Sequence, residues 1–286
     1  MIQGIDVSSI QGLVDWPAVA DAGITFAWVR TTVVVQDKAG ARHVVRDARA
    51  RENIEGARAA GVHVGGYAFF SPALDPKAQA QAFCDALGPV GQQDLRPAID
   101  FEVCHGIPMF VAAQKACEFV EHVEAILGVE SIVYTMSGAS GFWPHTIDAG
   151  VLARRPLWVA HYRIDPTTGR EYTLREPSIP PQWAAWAVWQ ISGNKGPRVA
   201  GIATDVDRNV APELVPLLAY RLPDTLPSPP DSDAPTWPGT PSGKAKSSDR
   251  LRAVDAPIID GPATPLRAGE GEHTVPLVET DFDEVP

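Results

Sequence analysis

Between residues 1 and 221 short apolar runs alternate with Ala-rich amphipathic stretches, and this alternation constrains the fold more than any other feature. The runs IQGIDVS, ITFAWVR, VHVGGYAFF, RPAIDFEV, SIVYT, PLWVAHY and WAVWQIS read as strands. They are short, rich in β-branched and aromatic residues, and bounded by polar or glycine positions. Between several of them WPAVADAG, RARENIEGARAAG, PKAQAQAFCDALG and PMFVAAQKACEFVEHVEAILG read as helices. Gly23, Gly61, Gly88 and Gly128 stand where helix ends need a left-handed residue. Strand, helix, strand at this spacing means α/β structure with a parallel sheet and helices outside it. No GxGxxG follows the first strand, which points to a TIM-like barrel rather than a doubly wound sheet. The helical signal fades after residue 150, so the last strands are expected to be joined by loops.

Composition changes near residue 222. Residues 222–286 hold 12 of the 27 prolines, with one Trp, one Phe and no Tyr. Twelve acids against five bases put −7 of the net −11 there. So few aromatics cannot bury enough surface to offset ordering entropy. The expected organisation is a barrel domain over 1–221 and a Pro-rich, acidic, disordered tail over 222–286. A net charge of −11 argues against a nucleic-acid partner, which would require a basic face. No basic leader followed by an apolar core opens the chain, and no run is long enough to span a membrane. The cysteines Cys84, Cys104 and Cys117 form no CxxC pair, and are read as small buried hydrophobes rather than a disulfide framework or metal site.

In a parallel barrel the reacting groups stand at the C-terminal ends of strands. LRPAIDFEVCHG places Asp100 and Glu102 at such an end. Side chains alternate along a strand, so both carboxylates face the barrel mouth about 7 Å apart along the chain, with Phe101 turned away. Two acids so placed suit glycoside hydrolysis, one protonating the leaving oxygen and one stabilising or activating. Crowding drives their pKa values apart. Taken alone, a DxE is equally a surface strand end or half of a magnesium site. Other strand ends add weight: Asp6 closes the first strand, and a last strand, DVDRNV, offers Asp205 and Asp207. Tyr67, Tyr134, Trp158, Tyr162 and Trp189 also fall at strand ends, where aromatic faces can stack on sugars, as can core packing explain each singly. Gln190 could hold hydroxyls.

GIDVSSIQGLVDW, GGYAFF, PAIDFE, VYT, PLWVAHY, VWQIS and VDRNV follow, in order, the motifs of glycoside hydrolase family 25, which this chain resembles over roughly residues 1 to 215. These are the Chalaropsis-type lysozymes, or N-acetylmuramidases. The resemblance implies an incomplete (β/α)8 barrel, with five βα units followed by strands lacking full helices. It implies cleavage of the β-1,4 bond from N-acetylmuramic acid to N-acetylglucosamine in peptidoglycan glycan strands, with no cofactor or metal. Carried over, Glu102 is the general acid/base and Asp100 orients the N-acetyl group or stabilises the oxocarbenium charge. Asp6 and Asp207 match two further acids of the rim. Tyr67, Tyr134, Trp158, Tyr162 and Gln190 fall on groove positions, and Phe69 and Asp205 are counted with them as substrate contacts.

Two departures stand out. The family's YHF reads Tyr67-Ala68-Phe69, and its KATEG reads RTTVV at Arg30 to Val34. His105 and His161 are read as groove or supporting residues, since the acids already supply the acid/base chemistry. A non-catalytic glycan-binding module on the same barrel is the alternative, and loss of Asp100 or Glu102 would have favoured it. A metal-dependent hydrolase would require histidines at ligand spacing, which the strand ends lack. The expected protein is a monomer acting on the cell wall, exported without a signal peptide through phage lysis or a secretion system.

Overall fold

The computed structural model describes residues 1–163, 173–193 and 198–219, so the expected tail lies outside the described residues. In chain order the elements are β1 (Ile2–Val7), α1 (Trp16–Asp21), β2 (Ile24–Gln36), β3 (Arg42–Arg46), α2 (Ala50–Ala59), β4 (His63–Phe69) and α3 (Pro76–Leu87). There follow β5 (Ala98–Asp100), α4 (Met109–Leu127), β6 (Ile132–Met136), β7 (Leu157–Ala160), β8 (Val188–Ser192) and β9 (Asp207–Ala211). Strands β1, β2, β4, β5, β6, β7 and β8 run parallel to their neighbours. β9 enters antiparallel between β8 and β1 and closes the eight-stranded barrel. Helices α1 to α4 follow the first four barrel strands; the fifth unit, after β6, carries only 3-10 turns at Gly138–Ser140 and Leu152–Arg154.

Local sequence explains the helix limits. Asp15 and Asp75 cap α1 and α3, accepting from the backbone N–H of Ala18 (3.2 Å) and Ala78 (2.7 Å), and each helix starts with a proline in its first turn. Gly128 ends α4 in the left-handed conformation, at φ 65°. One hairpin was not expected. β2 continues past Arg30 through the β-branched run to Gln36, then turns back as antiparallel β3. Asp37 builds the turn, its Oδ1 accepting from the N–H of Ala39 and Ala41, both at 2.9 Å. No helix among the described residues is long and apolar enough to cross a membrane.

Side-chain alternation sorts the core into an inside and an outside. Ile5 and Val7 pack outward against α1 and α2, while Gly4 and Asp6 face the barrel interior. The interior is filled by Phe26, Trp28, Ile132, Tyr134, Trp158 and Val188. Trp28 and Trp158 stack with centroids 4.6 Å apart, and Tyr134 meets Trp158 edge-on at 4.8 Å. Trp158 and Tyr134 form the uppermost layer of this core, and they are also the floor of a cleft at the C-terminal mouth.

Candidate active site

The cleft is lined by side chains from strand ends and the turns that follow them: Asp6 from β1, Arg30 from β2, Tyr67 and Phe69 from β4, Tyr134 from β6, Trp158 from β7, Gln190 from β8 and Asp207 from β9. Asp100 ends β5, and Glu102 lies two residues on. The backbone keeps pairing past β5, with Phe101 N–H donating to the Tyr134 carbonyl (3.0 Å) and the Thr135 hydroxyl donating to the Phe101 carbonyl (2.6 Å). Alternation therefore persists. Phe101 is fully buried on the helix side against Phe70, Phe142 and Trp143, and both carboxylates face the cleft.

One hydrogen-bonded chain crosses the floor. Tyr134 Oη lies 2.9 Å from Gln190 Oε1 and 3.5 Å from Glu102 Oε2. Gln190 Nε2 donates to Asp6 Oδ2 at 2.9 Å, and Asn209 Nδ2 donates to the same oxygen at 2.7 Å. Trp158 Nε1 completes the chain by donating to Asn209 Oδ1 at 2.8 Å. A core tryptophan thus orients the amide that holds a cleft acid.

All four acids resist ionisation. Burial lifts the Glu102 carboxyl and the Asp6 charge adds to the rise, while the Tyr134 hydroxyl works against it whenever its one proton is turned toward Glu102. Asp100 is raised well above the ordinary range, by burial and then by Glu102 and Asp6, with Arg30 opposing. Its buried Oδ1 has no hydrogen-bond partner among the described residues. Burial and the facing Asp6 push Asp207 up to about 9. Burial also raises Asp6, against the bonds from Asn209, Gln190 and Asp207. Tyr67, Tyr134 and Tyr162 are raised by burial among these carboxyls, so all three are neutral hydroxyls at ordinary pH.

Of the residues singled out in the sequence, ten line one cleft: Asp6, Tyr67, Phe69, Asp100, Glu102, Tyr134, Trp158, Tyr162, Gln190 and Asp207. Asp205 stands apart. It is exposed on the turn before β9 and its backbone carbonyl accepts from Gln11 Nε2 at 3.2 Å, because the antiparallel pairing begins only at Asp207. His105 and His161 lie off the cleft floor, His105 Nδ1 being 2.7 Å from Ser71 Oγ and His161 Nδ1 accepting from Ser178 N–H at 2.8 Å. Trp189 packs away from the mouth and donates to the His161 carbonyl at 2.6 Å. The three cysteines are free, Cys84 buried and the others partly so, with burial raising each thiol.

Arg30 and Asn209 were not singled out. Arg30 is the cation among the described lining residues, its Nε donating to Asp47 Oδ2 (2.8 Å) and its Nη2 to Ser9 Oγ (3.3 Å). It ends an apolar run just as Asp6 does, the signal by which it could have been found. Asn209 is fully buried, and only the antiparallel entry of β9 reveals that it reaches both Asp6 and Trp158.

An α/β barrel whose mouth gathers acids and aromatic faces at its strand ends defines a hydrolase of the glycosidase class. More narrowly, the chain belongs to glycosyl hydrolases family 25, whose family model matches residues 5–199. It is 29% identical over 221 residues to Lysozyme M1 of Streptomyces globisporus, an alignment covering 73% of this chain and 67% of that protein. It is 32% identical over 214 residues to the uncharacterized protein YegX of Escherichia coli strain K12, covering 73% and 69%. Among solved structures it resembles the bacterial lysozyme from Streptomyces coelicolor, with a TM-score of 0.61 and 28% identity over 74% of this chain and 92% of that one.

Proposed function

We propose that this chain is an N-acetylmuramidase that cleaves the β-1,4 bond between N-acetylmuramic acid and N-acetylglucosamine in peptidoglycan, and that it works at the cell wall. The observation that carries this reading is Glu102, a carboxyl held toward its protonated form at the mouth of a cleft floored by aromatic rings. A protonated carboxyl there can give its proton to the glycosidic oxygen as the bond breaks. Asp100 stands beside it with one buried oxygen that has no hydrogen-bond partner among the described residues. An acetamido N–H of the substrate would match that oxygen and draw the carboxyl toward its ionised form, in which it would meet positive charge developing at the sugar ring. Trp158, Tyr67 and Tyr162 offer ring faces to pyranoses.

The test is digestion of purified peptidoglycan by the wild type and Glu102→Gln, with new reducing ends identified by mass spectrometry after borohydride reduction. Muramitol ends from the wild type alone are expected. Glucosaminitol ends would keep a glycosidase but move the bond. No new ends from well-folded wild type on several wall chemotypes would replace this reading with that of a glycan-binding module.

A further inference from the structure

We propose that Gln190 is a positioning residue for the acid step: by holding the hydroxyl proton of Tyr134, it makes Glu102 face an oxygen that can only accept. Glu102 is then favoured in its protonated form until the glycosidic oxygen takes the proton. This rests on the reading of Glu102 as the general acid.

The polarity of the chain follows from donor and acceptor counting, starting at its far end. The Trp158 indole has a donor and no acceptor, so the atom of Asn209 it meets at 2.8 Å is the carbonyl oxygen. The Asn209 amine therefore points at Asp6 Oδ2, 2.7 Å away. Gln190 reaches the same carboxylate oxygen at 2.9 Å, and the group that can bond there is its amine. Its carbonyl oxygen is left facing Tyr134 Oη at 2.9 Å, and a carbonyl only accepts. Tyr134 must donate, and a phenol has one proton. What it turns toward Glu102 Oε2, 3.5 Å away, is a lone pair. A protonated Glu102 can donate into that lone pair, whereas a carboxylate would meet it with lone pairs of its own.

When Glu102 loses its proton to the leaving sugar, the hydroxyl of Tyr134 can swing its proton from Gln190 to the new carboxylate. No bond of Tyr134 breaks; only its torsion about C–O changes. The water consumed in hydrolysis returns a proton to Glu102, and the hydroxyl swings back. The other titratable or charged groups around this point are Asp6 from β1, Arg30 from β2, Tyr67 from β4, Asp100 on the same segment, Tyr162 after β7 and Asp207 from β9. Tyr162 is a second neighbour of the Tyr134 hydroxyl, but a carboxylate is the stronger acceptor.

Two substitutions should act in opposite directions. Tyr134→Phe removes the donor available to ionised Glu102, and the alkaline limb of kcat/KM should rise by about one pH unit. Gln190→Met frees the Tyr134 proton for Glu102, and the limb should fall by a similar amount. In the double variant the limb should match Tyr134→Phe alone, because Gln190 acts through the hydroxyl. Shifts in one direction, additive shifts, or unmoved limbs in folded active variants would overturn the proposal. Difference infrared titration of the protonated carboxyl band, assigned with Glu102→Gln, reads the same shifts without turnover. Wild type that yields no new reducing ends would sink the muramidase reading, while the infrared midpoints would still decide where the proton lies. If Gln190→Met fails to fold, Gln190→Leu is titrated in its place: a fallen midpoint supports the proposal, and an unmoved one, or a Tyr134→Phe midpoint that does not rise, overturns it.

Discussion

Asp6 and Asp207 stand directly opposite each other in the antiparallel register of β1 and β9, and their side chains are hydrogen-bonded. Two carboxylates cannot make that bond; one of them carries the proton. Asp207 is the one, pushed up to about 9 by burial and by the charge of Asp6, which already accepts two amide donors. The pair therefore brings one negative charge to the cleft at neutral pH rather than two.

That arrangement has a stability signature. The folded pKa of Asp207 lies above the unfolded aspartate value near 3.9, so the folded state holds one more proton between pH 4 and about 9. Stability then falls as pH rises through this window, by at most about 1.4 kcal/mol per pH unit. Asp207→Asn keeps a donor toward Asp6 and removes the titration. Melting curves from pH 4 to 9 should show the variant gaining on the wild type as pH rises. A constant difference would mean that Asp207 ionises normally.

Glu102→Gln should lower kcat by about 10²- to 10⁴-fold with the fold intact, since it removes a transferable proton and almost no volume. In the wild type the acid is active while protonated, and its pKa is raised by burial and Asp6. Activity should persist above the usual glutamate range and be lost as pH rises through the raised value. Initial rates against pH are the measurement, and a limb at the ordinary glutamate value would contradict the burial argument.

Gly4 faces the barrel interior two residues before Asp6, and a Cβ there would lie 2.1 Å from the Phe26 ring. Phe26 is itself fully buried and has nowhere to retreat. Gly4→Ala should cost about 1–3 kcal/mol in denaturant unfolding through overpacking. A neutral result would show that the interior layer can rearrange.

At the opposite end of the strands Arg155, just before β7, grips Glu124 of α4 through two bonds of 2.7 and 2.6 Å. Glu124 also accepts from the backbone of Ser131 at 2.9 Å and is almost fully buried. Glu124→Ala should destabilise the fold by about 2–4 kcal/mol, because it strands a backbone donor and leaves the mostly buried Arg155 guanidinium with only the longer contact to Glu130 at 3.4 Å. The kcat at low temperature should stay near wild type, since the ion pair is remote from the mouth. A large loss of kcat in folded protein would show that the two ends are coupled.

The sequence by itself determined much of this. A period of two placed Asp100 and Glu102 on one face and Phe101 on the other, and that held even past the last residue of β5. Amphipathic periodicity and helix-end glycines are local chemistry, legible over a few residues, and so the helices were too. The β2–β3 hairpin was harder to read, because a run of valines at the end of a strand looks the same whether the strand stops or continues. Local periodicity carries no information on which strand closes a ring. The motif already matched Asp207 to the rim, but only the tertiary structure decided that β9 enters antiparallel, which sets Asp207 directly opposite Asp6 and lets Asn209 tie Asp6 to Trp158. The proposed direction of the proton between Glu102 and Gln190 rests there too, since it depends on donors and acceptors from β1, β6, β7, β8 and β9 meeting around one hydroxyl.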